Sequence, residues 1–390
     1  MDKGKFIFAQ YMSFLPNRIF DTCVNRYNGN AYVKHFSCWS QLSAMIFGQL
    51  GNIESIRGLV LCINSHSQKS YHLGFGKNIS RNNLSNANEK RDWRIFADFA
   101  YVLLAEAQKI CKPATDFKLD IDANIYAFDA SIIDLCLNVF WWATYKKTKA
   151  AIKLHTLIDV AKNIPIFIHI TEGALHDVHG MDLLSYEPNS YYVFDRGYVD
   201  FKRLYTLHQK EAFFVIRGKK NLKFKRIYSS KCEKNKGVIC DQTIILKGFY
   251  VSKWYPEKLR RVKYFDEETK ITFVFLTNNF ALSALEIALI YKYRWHVELF
   301  FKWLKQHLKV KKFWGTSENA VKIQIFSAII TYTTVAIIKE KLNSSLTNYE
   351  ILQILNISLL DKTPLNELIT KPYIQNVKEH DYNQLKLFEF

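Results

Sequence analysis

The spacing of apolar residues changes at Pro113, and that change limits the fold more than any other feature of the chain. Before it, apolar residues recur at helical intervals. WSQLSAMIFGQL (39–50) is the clearest run, with Gly51 or Asn52 placed to end it. IESIRGLVLCINSH follows as a second helix. Ser80 is placed to cap a third, RNNLSNANEKRDWRIFADFAYVLLAEAQKI, broken near Asp92. Short helices joined by Gly/Asn turns suit a helix-turn-helix DNA reader or a plain helical bundle, and both readings stay open.

After Pro113 the period shortens to two. NIYAFDAS (124–131) predicts a strand ending at Asp129, and AIKLHTLIDV (151–160) and PIFIHIT (165–171) predict two more around the turn signal NIP. HDVHGMDLLSY predicts a helix, and YYVFD (191–195) a strand ending at Asp195. VDFKRLYTLHQ is again helical, and AFFVI (212–216) is a strand. That alternation predicts a mixed α/β sheet with helices packed against it. Residues 218–277 interrupt it with short runs that read as β: VICDQTIIL, GFYVSKWY and KITFVFLT. This segment holds 15 basic and 6 acidic residues, a balance of +9, which is half the chain's net +18.

The whole chain has 54 Lys and Arg against 36 Asp and Glu, and a pI near 9.4. So basic a balance points to a polyanionic partner, either nucleic acid or an anionic membrane surface. The longest apolar stretch, IFSAIITYTTVAII (325–338), is too short and too rich in Thr to span a bilayer, and predicts a buried helix. The N-terminus lacks a signal-peptide core and cleavage site. Seven cysteines stand singly with no CxxC pair, which suits a reducing cytosol and not a disulfide framework or zinc site. His176 and His179 have no Cys or third His at ligand spacing. The expected location is therefore cytoplasmic, without a membrane partner.

The stretch IALIYKYRWHVELFFKWLKQHLKV (287–310) predicts one long amphipathic helix. On a helical wheel Tyr291, Arg294, Glu298, Lys302 and Lys305 share an arc of about 80°. Tyr293, Val297, Phe300, Leu304 and Leu308 cluster opposite, at core spacing. A solvated face in which Glu298 pairs with Lys302 and Lys305 is one reading. The positions of three carboxylates suggest another. Asp129 and Asp195 each follow a run of apolar β residues, and sites in α/β sheets lie at strand carboxyl ends. With Glu298 they would repel one another unless divalent cations neutralised them, and carboxylate oxygens are the ligands Mg²⁺ prefers. Each has an alternative. Asp120, Asp122 and Asp134 compete with Asp129, and Asp195 also fits a helix N-cap. Cations around Glu298 suit a phosphate backbone, and Tyr291 and Trp295 offer a platform for a base.

Tyr291, Arg294, Glu298 and Lys305 reproduce the Y-x2-R-x3-E-x6-K signature of bacterial insertion-sequence transposases, and the chain resembles the fourth insertion-sequence family. FDASIIDL resembles the family's first-acid motif, and ITEGALHD with YVFDRGYVD the region leading into the second acid. The resemblance covers about 120–310 strongly and the rest loosely. It implies a ribonuclease-H-like catalytic domain (113–217 and 278–317) whose triad is Asp129, Asp195 and Glu298, split by the basic β insertion 218–277. A helical N-terminal DNA-binding region (1–112) and a helical C-terminal region (318–390) complete the expected architecture. The resemblance further implies two Mg²⁺ ions on the triad, for which Mn²⁺ is expected to substitute. It implies double-stranded DNA partners, both element ends and target, and a homodimer or larger synaptic complex. Tyr291, Arg294 and Lys305 are expected to contact DNA, with Lys302 beside them. Trp295 is a candidate to hold an unpaired end base, ahead of Trp254 and Phe273. End cleavage, a hairpin intermediate and joining of the 3′-OH to target DNA are the implied steps. A nuclease that cuts without joining, a basic regulator without chemistry and an RNA-processing protein are the competing readings.

Overall fold

A computed structural model describes residues 4–370, apart from 72, 76–78, 115, 116, 118, 147, 148, 233, 309 and 311. The last stretch of the expected C-terminal region, 371–390, lies outside the described residues.

Six helices open the chain: α1 (Ile7–Met12), α2 (Asn17–Arg26), α3 (Cys38–Leu50), α4 (Ile56–Ser65), α5 (Arg81–Lys90) and α6 (Arg94–Ile110). Their ends follow the capping chemistry in the sequence. Ser37, Ser55 and Ser80 each accept a hydrogen bond from the backbone N–H three residues on, and Gly51 closes α3. The break expected near Asp92 is present between α5 and α6. Eleven of the thirteen residues of α3 are buried, so this helix is a core element and is not free to lie in a DNA groove.

The strands are β1 (Ile125–Leu135), β2 (Thr144–Lys146), β3 (Lys149–Asp159), β4 (Ile164–Glu172), β5 (Tyr191–Phe194), β6 (Phe213–Arg217), β7 (Phe224–Ser230), β8 (Val238–Leu246), β9 (Leu259–Asp266) and β10 (Ile271–Thr277). They form one sheet in the order β2-β3-β1-β5-β6-β10-β9-β8-β7, with β4 also on β3. β5 and β6 run parallel to β1, and the other neighbours are antiparallel. The basic segment 218–277 therefore extends the sheet of the preceding strands, joined to it where β10 pairs with β6.

Two local expectations need correction. β1 does not stop at Asp129 but runs to Leu135, because every residue from Asp129 to Leu135 finds a partner on the long β3. GFYVSKWY is not a strand: Phe249–Trp254 is helix α8, between β8 and β9. Val251 and Tyr255, four residues apart, face the core, and that helical interval outweighs the short β-like run. HDVHGMDLLSY is helical as expected, in the form of a 3₁₀ helix over Asp177–Leu183.

Two hydrophobic layers clasp the sheet. One face carries Tyr126, Phe128, Tyr192, Phe194, Phe214 and Ile216 and packs on α7 (Phe201–Gln209) and α8. The alternate residues, Ala127, Val193, Val215 and Phe275, face a larger core shared with the N-terminal helices and with α9 (Ala284–Lys292), α10 (Trp295–His307) and α11 (Glu318–Lys341). The apolar stretch 325–338 is indeed a buried helix. Among the described residues α11 is the one helix long and apolar enough to cross a membrane, and 94% of that apolar window is buried within the fold. Its Thr331, Thr333 and Thr334 hydroxyls donate to carbonyls four residues back, which satisfies polar groups that water cannot reach. Two short helices, α12 (Asn348–Ser358) and α13 (Leu365–Thr370), follow.

Candidate active site

The first two carboxylates meet through strand register. β1 and β5 pair as Ile125↔Tyr191, Tyr126↔Tyr192 and Ala127↔Val193. Continuing that offset sets Asp129 level with Asp195, just past the end of β5. Side chains alternate across a strand, so both take the face of Ala127 and Val193, which is the face covered by α9 and α10. Asp195 is not spent as a helix cap. It makes no side-chain cap bond, whereas Asp200 accepts from the Arg203 N–H to start α7.

The stretch 287–310 is not one helix. α9 ends at Lys292 and α10 starts at Trp295, with a tight turn at Tyr293 and Arg294. The Arg294 and His296 N–H groups reach carbonyls three residues back, at 3.0 Å each, so the chain winds more tightly there. The core side of the wheel survives: Tyr293, Val297, Phe300, Leu304 and Leu308 are all buried.

The turn places Arg294 as a bridge. Its Nη1 lies 3.5 Å from Asp129 Oδ2, and its Nη2 lies 2.6 Å from Glu298 Oε1. Glu298 thus pairs with Arg294, a partner that the solvated-face reading did not include. Tyr291 donates to Asp195 Oδ1 at 3.2 Å, and the Arg294 guanidinium sits 5.6 Å from the Tyr291 ring centre. Asp129, Asp195 and Glu298 are therefore gathered around one Tyr–Arg pair. Asp120, Asp122 and Asp134 make none of these contacts.

Electrostatics record the crowding. Burial pushes the Asp129 carboxyl from its ordinary 3.8 up to about 6. The Ala130 N–H and Arg294 oppose that shift, and the Glu298 and Asp195 charges add to it. Burial also raises the Tyr291 hydroxyl to about 12, so it stays protonated and donates to Asp195. The sequence reading missed Tyr198, three residues after Asp195 in FDRGY, whose hydroxyl reaches Asp129 Oδ1 at 3.4 Å. Its signal was present as an aromatic just past a strand-end acid, but nothing local says that it folds back onto the neighbouring strand.

As placed, no group of three His, Cys, Asp or Glu among the described residues closes tightly enough to hold a metal ion. The donor chemistry nonetheless suits a hard divalent cation: three carboxylates, one with its ionised form disfavoured by burial.

Beside the acids opens a cavity of about 770 Å³. Tyr291, Arg294 and Trp295 line it, with Phe273, Phe275 and Arg217 from the sheet. Trp295 is exposed, and Arg217 lies over the Phe273 ring at 5.0 Å. Lys302 is exposed on α10, while Lys305 donates to the Ile132 carbonyl at 2.7 Å, tying α10 to β1. Trp254 lies apart from this group, on α8 across the sheet.

The family profile described as Transposase DDE domain matches residues 121–334, and a domain of unknown function matches residues 3–76. The y4zB protein of Sinorhizobium fredii (strain NBRC 101917 / NGR234), named as a transposase, is 31% identical over 260 residues, covering 65% of this chain and 70% of that protein. The protein named as transposase of insertion sequence element IS5377 of Geobacillus stearothermophilus is 31% identical, with 59% and 60% covered. The corresponding protein of element IS4SA of Synechocystis sp. (strain ATCC 27184 / PCC 6803 / Kazusa) is 28% identical, with 70% and 77% covered. A solved piggyBac transposase synaptic complex with hairpin DNA overlays at a TM-score of 0.46 and 10% identity, covering 94% of this chain and 82% of that one. With the family profile spanning more than half of its length, the chain belongs to the DDE-domain transposases of bacterial insertion sequences.

Proposed function

We propose that the chain cuts DNA at the ends of an insertion sequence and joins the freed 3′-OH to target DNA, with Asp129, Asp195 and Glu298 as its catalytic carboxylates. One observation carries this reading. Acids from three distant parts of the sequence converge on the Tyr291–Arg294 pair. The strand directions support a ribonuclease-H-like core: β4, β3 and β1 antiparallel, then β5 and β6 parallel to β1, with the two Asp residues on neighbouring strands.

The triad would hold two Mg²⁺ ions, with Mn²⁺ as a substitute. Bound there, such ions supply an activated attacking oxygen and a stabilised leaving oxygen for in-line displacement at phosphorus. The chain's own groups do the rest. Arg294 keeps Asp129 and Glu298 from driving each other apart. Lys302, Lys305 and Arg294 meet backbone phosphates, and Trp295 offers its exposed ring to an end base. Tyr291 is a contact and not a nucleophile, since its raised pKa keeps the hydroxyl protonated. Water attack frees a 3′-OH, which attacks the opposite strand to form a hairpin. A second water opens the hairpin, and the 3′-OH attacks the target. Every step is the same kind of displacement, so one positioned site serves them all. Two copies or more bring two element ends together.

A pre-cleaved element end incubated with plasmid and Mg²⁺ tests the reading. Covalent end-to-plasmid products are expected. Cutting of uncleaved ends without any joined product would reduce the protein to a nuclease, and binding without either product would make it a regulator.

A further inference from the structure

Exposed cations and aromatics meet on the side of the sheet away from the acids. Phe249, Tyr250 and Trp254 on α8 are 69%, 65% and 47% exposed. Tyr250 stacks on Trp254 with ring centres 5.9 Å apart, and Lys253 lies 4.4 Å over Phe249. Next to them a cavity of about 410 Å³ is lined by Lys219, Lys223, Lys247 and Trp254. Asp200 also lines it, but its carboxylate already faces Arg203 at 2.9 Å. Lys220, Lys225, Arg226 and Lys258 add further exposed charge from the same loops and strands, with the acid Glu257 beside them. None of these cations forms a salt bridge among the described residues.

Three features restrict the partner. Protein–protein interfaces are depleted in lysine, so a lysine-lined cavity argues for a polyanion. Aromatic rings left open beside a row of cations match the way unpaired strands are held, with charges on the backbone and rings on the bases. A duplex keeps its base faces stacked inside, out of reach of such rings. The location matters as well: α8 packs on the layer containing Phe128 and Phe214, whereas Arg294 and Glu298 approach from the other layer. We propose that this surface binds a single-stranded DNA segment, separately from the DNA at the carboxylates. It rests on the reading above only in taking DNA as the partner.

The test uses the full chain without divalent ions, so a failure of the carboxylate assignment leaves it intact. A fluorescent dT20 strand and a 20-base-pair duplex are titrated over a range of salt. Trp254→Ala is expected to weaken dT20 binding by about 10-fold, in the range of one lost base–aromatic stack. Trp254→Phe should restore it, and duplex affinity should stay unchanged. Lys219→Gln/Lys223→Gln/Lys247→Gln should lower the salt slope for dT20 by about 2. Thermal unfolding at the wild-type temperature confirms that the variants are folded. A folded Trp254→Ala that binds dT20 like wild type would overturn the proposal, as would equal weakening of strand and duplex.

Discussion

Asp129 on β1 and Lys247 just past β8 mark two regions of one sheet that handle charge in opposite ways. On β1 and β5 the acids sit on strands buried on both faces, and each is held by a named partner: Arg294, Tyr198 or Tyr291. Around β7, β8 and α8, Lys219, Lys223, Lys225, Lys247 and Lys253 stand in solvent and form no salt bridge among the described residues. Placing few charges accurately costs stability and needs a rigid core around them. Presenting many charges costs little, because each is hydrated and replaceable. Substitutions in the first region should therefore act in an all-or-none way, and those in the second by degrees.

The largest effect is expected at the acids. Asp195→Asn and Glu298→Gln should each reduce Mg²⁺-dependent end cleavage by at least about 10³-fold while end binding persists, because the lost groups act as a unit. Cleavage and gel-shift assays on the same preparations check both halves. Arg294→Ala comes next. It leaves Asp129 and Glu298 facing each other without their shared cation, and should destabilise the fold by about 3 kcal/mol in denaturant titration. Adding Asp129→Asn should recover part of that loss; strict additivity would mean that the bridge is not what couples them.

Asp129→Asn alone should stabilise the protein at neutral pH. A carboxyl whose folded pKa is raised holds its proton more tightly folded than unfolded. It therefore penalises the fold above about 6, and the penalty fades as pH falls towards 3.8. The expected gain at pH 7.5 is on the order of 1–3 kcal/mol, absent at pH 4, and melting curves at the two pH values read it directly. His155 has the opposite sign. Burial, helped by Lys153, holds its imidazole down at about 4, so it contributes stability above 6.5 that is lost as pH falls. Each single variant should remove its own limb of the stability profile. The smallest effect belongs to a single lysine. Lys305→Ala should lower the salt slope of end binding by about 1. It should also cost about 1 kcal/mol through the bond to Ile132, which an unchanged melting temperature would contradict.

Much of this was legible before the structure, and for stated reasons. The N-terminal helices carry their caps in Ser80 and Gly51, and strands such as AFFVI announce themselves by composition. Arg294 and Glu298 were legible as neighbours at a four-residue interval, but the sequence could not show that Arg294 also reaches Asp129. The turn at Tyr293–Arg294 has no Gly or Pro to signal it. The continuation of β1 past Asp129 depends on pairing with β3, which the local run does not contain, and the eight residues of GFYVSKWY fit either period. The level placement of Asp129 and Asp195 is a long-range parallel pairing that no local pattern encodes.

The central claim is that three carboxylates act as one cation site. Mn²⁺ binding to the full chain with a bound element end, followed by electron paramagnetic resonance at pH 7.5, tests it most directly. Two bound ions per wild-type chain are predicted, with at least one lost in Glu298→Gln and in Asp195→Asn. Wild-type occupancy in both variants would contradict the account.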